Sequence, residues 1–425
     1  MTLPSMKAFA LAVFQIVIGA DDDTPSLRLE RTLDAALAGA QMANSFVAVV
    51  LPRDHDGEGY GLMSGPFWSN RALREAAAKG RVLVGSRCTH TELEASPDRD
   101  GKRIDHACSR FGQILCQQHR DAEKQVVAKY FAGRDPGVRP VFLLLRGSDG
   151  APIARRVGEA TVAEVTDMFV VAPAAATAGE APKETVGKAG EKDDAVRRRA
   201  LRLLATVETE PAEAALRGLY DAAKDDARRA EILDAIAQVG ARRLRDRALA
   251  VLETGPPGLR AVAARAIASS GDEDSVAPLV KAFPKAKDDE ERKAIVRALG
   301  RCGRGSDAAR DALKKAASDT RPLVRANAVV ALGQPGVGDA STLALLKQKL
   351  ESDGEARVRG AAAYSLAMAE NADAADLVPR FRARRAKEKD SRVSEMLGSG
   401  VAWLEGSAGE DDLAWPLVVF CGDKQ

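Results

Sequence analysis

The chain has 425 residues, 45% of them hydrophobic and 29% charged, and its 63 basic and 61 acidic residues leave a net charge of +2. That balance is too apolar for general disorder, lacks a collagen-like glycine period, and is not basic enough to advertise wholesale neutralisation of a nucleic acid. The apolar share is carried by 79 alanines rather than by the 18 aromatics, which points to closely packed helices, and the length predicts two or more domains.

Residues 1–20, MTLPSMKAFALAVFQIVIGA, place Lys7 before an apolar run from Ala8 to Ile18 and end on Gly19-Ala20, ahead of Asp21, Asp22 and Asp23. A basic residue, a hydrophobic stretch too short to span a bilayer and a small-residue end make the layout of a secretory signal peptide. The expectation is an extracytoplasmic protein, periplasmic or secreted, with no membrane span. Five cysteines, an odd number, do not make a disulfide framework in a chain this long, although a pair could oxidise after export.

From residue 45 the chain alternates strand and helix signals. SFVAVVLP (45–52) reads as a buried strand, FWSNRALREAAAKG (67–80) as a helix closed by Gly80, and RVLVG (81–85) as a second strand. RDAEKQVVAKYFAG (120–133) reads as a helix. VRPVFLLLRGSDGAPIARRVGEA (138–160) reads as two strands around a Ser-Asp-Gly turn, and TVAEVTDMFVVA (161–172) as a closing helix. The order β-α-β-α-β-β-α over residues 24–171, with Arg139-Pro140 directly before VFLLL and Gly158 after RRV, resembles the thioredoxin fold. The resemblance implies a cis-proline at Pro140, facing a redox site. FWSNRAL also resembles the helix that follows the CxxC motif of such proteins. That alignment puts the motif near Asp56-Gly57-Glu58-Gly59, where no cysteine stands. Without a thiolate at the helix start there is no dithiol chemistry at that position. His55 with Asp54, Asp56 and Glu58 forms an acid-rich loop read as solvated charge.

Residues 88–119 form an apparent insertion holding Cys88, His90, His106, Cys108, Cys116 and His119, six of the nine Cys and His residues of the chain. Cys116 and His119 are spaced to share one helical face. Thiolate and imidazole in four-fold coordination suit zinc, and sulfur also suits copper(I). A site of Cys88, Cys108, Cys116 and His119, with His90 and His106 as alternates, would staple the long loop. A Cys108–Cys116 or Cys88–Cys116 disulfide, inert buried thiols and a relocated redox site at Cys88 compete with that reading. No nucleophile elbow, Walker loop, HExxH or dinucleotide fingerprint stands in the expected context.

Residues 172–192, APAAATAGEAPKETVGKAGEK, have the composition of a linker. Beyond it VRRRALRLLA (196–205), ARRAEILDAIA (227–237), LRAVAARAIA (259–268), ERKAIVRALG (291–300), LVRANAVVALG (323–333), RVRGAAAYSLA (357–367) and RVSEMLGSGVAWL (392–404) repeat near every 31 to 35 residues. Each copy begins at or near an arginine. Second helical stretches follow at 274–283, 307–317, 340–350 and 376–385. Each unit is a helix pair that buries its apolar face only by stacking on its neighbours. This pattern, over 193–405, resembles HEAT repeats of the short bacterial, phycobilisome-lyase-like type.

The resemblance implies an interaction scaffold whose second helices line the concave side. These carry Lys281, Lys314, Lys315, Lys347, Lys349, Arg380, Arg384 and Arg385, a face that would attract a protein or polyanionic partner with an acidic surface, nucleic acid being disfavoured. Residues 406–425 are left as a C-terminal tail. The expected protein is therefore multidomain: an N-terminal α/β thioredoxin-like domain and a C-terminal all-α HEAT-type solenoid, non-catalytic and binding another macromolecule. The competing expectation is a thiol-dependent oxidoreductase or a metal-binding module built on the 88–119 cluster.

Overall fold

The computed structural model describes residues 27–52, 68–86, 116–131, 140–334, 336–369, 372–407 and 420–421. The chain divides into two compact units, residues 1–218 and 219–425.

In the first unit the elements run β1 (Leu29–Glu30), α1 (Leu33–Met42), β2 (Phe46–Leu51), α2 (Arg71–Ala77), β3 (Arg81–Val84), α3 (Cys116–Tyr130), β4 (Val141–Arg146), β5 (Pro152–Val157), α4 (Val162–Ala178), α5 (Lys183–Lys188), α6 (Asp194–Thr206) and α7 (Glu210–Asp221), the last reaching into the second unit. The strands form one mixed sheet in the order β1-β3-β2-β4-β5. β1 and β2 run parallel to β3, while β4 is antiparallel to both β2 and β5. All six residues of β2 are buried, as an uninterrupted apolar run requires of a strand covered on both faces. Val47, Val49, Leu83, Leu143 and Leu145 pack with Leu33 and Ala36 of α1 and Val126 of α3. On the other face α4 lies on β4 and β5 with α2 against it, and the Phe46 and Phe169 rings meet edge to face at 6.4 Å. The Ser-Asp-Gly turn closes as expected: Asp149 Oδ1 accepts from the Ala151 amide at 2.9 Å and Gly150 takes φ +69°.

The sequence reading missed β1 and α1, and the expected linker is helical in part. Residues 172–178 form the last turns of α4, capped by Gly179 at φ +66°, and α5 follows at 183–188. Alanine is the strongest helix former, so an Ala-rich stretch carries no linker signal of its own. The first repeat copy, in α6, belongs to this unit. Arg199 bonds Asp167 at 2.7 Å and Arg202 bonds Glu164 at 2.8 Å, both on α4, and the Glu208 amide donates to the Ile153 carbonyl of β5 at 2.8 Å. Arg156, buried in β5, shares Glu164 at 3.2 Å.

The second unit contains helices alone among its described residues: α8 (Asp226–Gln238), α9 (Arg245–Thr254), α10 (Pro257–Ser270), α11 (Val276–Ala282), α12 (Asp289–Cys302), α13 (Asp307–Ala316), α14 (Pro322–Leu332), α15 (Ala340–Ser352), α16 (Ala356–Ala367), α17 (Ala374–Arg385) and α18 (Ser391–Leu404). Asp225 and Asp288 cap the helices that follow them, accepting from the first-turn amides of α8 and α12. Pro322 opens α14, where its missing N–H costs nothing. Pro379 lies inside α17.

Candidate interaction surface on the repeat stack

Of the Cys/His set, Cys88, His90, His106 and Cys108 lie outside the described residues, as does the side chain of Cys116. His119 is buried on α3, and its carbonyl accepts from the Ser86 amide just after β3, at 3.0 Å. Residues 53–67, with His55 and the position of the absent CxxC, also lie outside, and so does Arg139, hence the Arg139–Pro140 bond. Pro140 is buried at the start of β4, and its carbonyl accepts from the Gly158 amide at 2.9 Å. Among the described residues no group of His, Cys, Asp and Glu could hold a metal ion.

The eight cations expected as a binding face do stand on the second helices α11, α13, α15 and α17, but six of them already hold an acid. Lys281 pairs with Glu253 at 2.7 Å, Lys347 with Asp376 at 2.6 Å, Lys349 with Asp353 at 3.3 Å and Arg384 with Glu388 at 2.8 Å. Lys314 reaches Asp339 at 3.4 Å, and Arg380 bridges Glu351 at 3.2 Å and Asp376 at 3.3 Å. Lys315 and Arg385 are exposed, with no acidic partner among the described residues. The field these groups project is therefore largely cancelled at the surface.

The two rows of helices are unequally spaced. The first helices α8, α10, α12, α14, α16 and α18 pack directly on one another in succession, whereas α13, α15 and α17 barely touch. An open cleft of about 450 Å³ lies between α9 and α11, beside Lys281 and Glu253. Small residues such as Ala261, Ala264, Ala298, Ala328 and Ala362, all buried, allow the first-helix axes to approach. The first helices thus form the tighter, inner row of the stack.

A ladder of ion pairs locks these repeats in register. Arg260 reaches Glu291 with Nε at 2.6 Å and Nη2 at 3.0 Å. Arg325 grips both oxygens of Asp353 at 3.1 and 3.0 Å, and Arg359 both oxygens of Glu388 at 2.8 and 2.7 Å. Arg292 closes on one oxygen of Asp319 at 2.9 and 2.6 Å. Each arginine also donates Nη1 to a carbonyl of the turn before its own helix, as Arg260 does to Gly255 at 3.0 Å. The four carboxylates are between 1% and 5% exposed. In these four copies the arginine thus ties its own entry turn to the entry of the next copy, and Arg260, Arg325 and Arg359 do so in the two-oxygen geometry in which a guanidinium fork is strongest.

The hydrogen bonds from Arg359 hold Glu388 down to about 2, against an ordinary 4.5. Because the folded value is depressed, this carboxylate's contribution is complete above pH 4.5 and is lost as pH falls toward 2. On the order of 3 kcal/mol is linked to that shift. Urea unfolding of the wild type and Glu388→Gln should give curves whose separation narrows steadily below pH 4.5. A separation that stays flat from pH 5 to pH 3 would contradict the assignment.

Sequence reasoning missed a second feature of the inner face. Phe420 and Cys421 of the C-terminal tail are buried on it, at 1% and 4% exposure. The Cys421 carbonyl accepts from Arg297 Nη2 of α12 and from Asn327 Nδ2 of α14, both at 3.2 Å. The available signal was Asn327 itself, a polar residue where neighbouring copies carry Val262, Ala294 and Ala361.

Stacked helix pairs with a shared core define the class: a helical-repeat protein in its second unit. More narrowly, residues 221–300, 245–333 and 283–367 each match the family model for HEAT repeats, so residues 221–367 are HEAT repeats. No curated protein matches the chain. No helix among the described residues is long and apolar enough to cross a membrane.

Proposed function

We propose that the protein is a non-catalytic scaffold whose repeat unit binds another protein, with a redox-inactive thioredoxin-like domain at its N-terminus as a positioning module. HEAT repeats commonly mediate protein interactions, and the observation that carries the reading is the continuous first-helix row, held rigid by four buried arginine–carboxylate pairs. A rigid, extended inner face suits recognition of a polypeptide better than a small-molecule pocket does. The cancelled charges of the second helices argue against recognition by charge alone and favour a partner surface on the first helices. Support for the thioredoxin-like module is the mixed sheet, with its β4–β5 hairpin antiparallel at one edge, and the absence of cysteine at the CxxC position. Export through residues 1–20 belongs to the same proposal and rests on the residue pattern alone.

Capture with the full chain, followed by titration of the purified partner, tests this. A saturable protein complex that survives Cys88→Ser, Cys108→Ser and Cys116→Ser together is expected. Catalytic turnover of a model disulfide, abolished by Cys88→Ser, would instead establish the oxidoreductase.

A further inference from the structure

We propose that the inner face of the repeat stack carries a binding site for an extended peptide with an aromatic anchor, and that Phe420-Cys421 of the same chain occupies it in cis. This rests on the scaffold reading above and gives it a site and a ligand class.

The site is built from three successive repeats. The Phe420 ring lies on α16 at Gly360, where an added Cβ would stand 2.2 Å from ring atom Cζ. Only glycine leaves room for the ring there. At the corresponding place, one residue after the ladder arginine, the other copies carry Ala261, Lys293 and Ala326. One residue further, the carbonyl of Cys421 is held by Arg297 and Asn327. These donors are oriented by each other, since Asn327 Oδ1 accepts from Arg297 Nε at 2.6 Å and its Nδ2 also donates to the Leu323 carbonyl at 2.8 Å. Asn327 is 3% exposed, and the matching positions in neighbouring copies are Val262, Ala294 and Ala361. A buried amide is costly without partners, and here a partner arrives from the far end of the chain.

The two departures from the repeat pattern, an asparagine for an apolar residue and a glycine for alanine or lysine, therefore meet at one bound dipeptide. What they recognise is an aromatic ring and a main-chain carbonyl, groups that any peptide with a suitably placed aromatic residue supplies. The occupant is joined to α18 through residues 405–419, so it competes as a tethered ligand at a high effective concentration. A partner segment of the same chemistry would enter by displacing it.

The test uses the full chain with Phe420→Ala and a fluorescent synthetic peptide of residues 414–425. The variant should bind this peptide at least about tenfold more tightly than wild type, whose site is filled by its own tail. The gain should vanish when the peptide itself carries Phe420→Ala, and when Asn327→Ala is added to the protein. If the variant unfolds, the peptide added in trans should raise its Tm. Equal peptide binding by wild type and variant, equal binding of the two peptides, or no rise in Tm overturns the proposal. Partner capture by the wild type that continues under any of those outcomes leaves the scaffold reading standing without this site.

Discussion

Arg260→Ala should destabilise the repeat unit by about 3–5 kcal/mol, because it leaves Glu291, 1% exposed, without the two charge-assisted bonds that make its burial tolerable. The same change also frees the Gly255 carbonyl, which accepts from Arg260 Nη1. Removing both charges is a different matter. The double change Arg260→Met with Glu291→Leu abolishes the desolvation cost of two ions, and its stability should lie within about 1 kcal/mol of wild type or above it. Urea unfolding of the two singles and the double forms the cycle. A single Arg260→Ala variant within about 1 kcal/mol of wild type would mean that the ladder is a solvated surface feature and not a clamp between repeats.

Phe381→Ala should cost about 3–5 kcal/mol, the cost of emptying a fully buried aromatic site. The ring of Phe381 in α17 fills the space left by Gly400 in α18, where an added Cβ would come within 2.7 Å of ring atom Cε2. Gly400→Ala should therefore destabilise the wild type through overpacking, by about 1–3 kcal/mol. In the Phe381→Ala background the same methyl has room, and Gly400→Ala should be neutral or partly restorative. Thermal unfolding of the four proteins reads this reversal of sign. Additive effects would show that the two residues do not share a cavity.

The parts of the fold set by local periodicity were readable directly. The apolar run of β2, the Ser-Asp-Gly turn at 148–150 and all seven repeat copies appear where the pattern places them, because burial on two faces, tight turns and stacking each leave a short-range signature. A two-residue strand such as β1 leaves none. The 172–192 stretch misled because alanine serves helices and linkers equally. The ladder was half visible: the arginine opening each copy is conspicuous, but its carboxylate lies 27 to 31 residues away, across a repeat boundary that local pattern does not bridge. The cations of the second helices looked like a binding face because residue types reveal charge but not pairing. Arg380–Asp376, Lys349–Asp353 and Arg384–Glu388 are local pairs four residues apart, but Glu253, Glu351 and, for Lys347, Asp376 arrive only by stacking. The seat of Phe420 and Cys421 was the least legible, since the asparagine that holds the Cys421 carbonyl lies 94 residues away in the chain.

Hydrogen exchange of the full chain, alone and in complex with its captured protein partner, tests the central claim most directly. The account predicts new protection in the first helices, above all α12, α14 and α16, with the second helices α11, α13 and α15 unchanged. Protection confined to the second helices, or to the mixed sheet of the first unit, would contradict it.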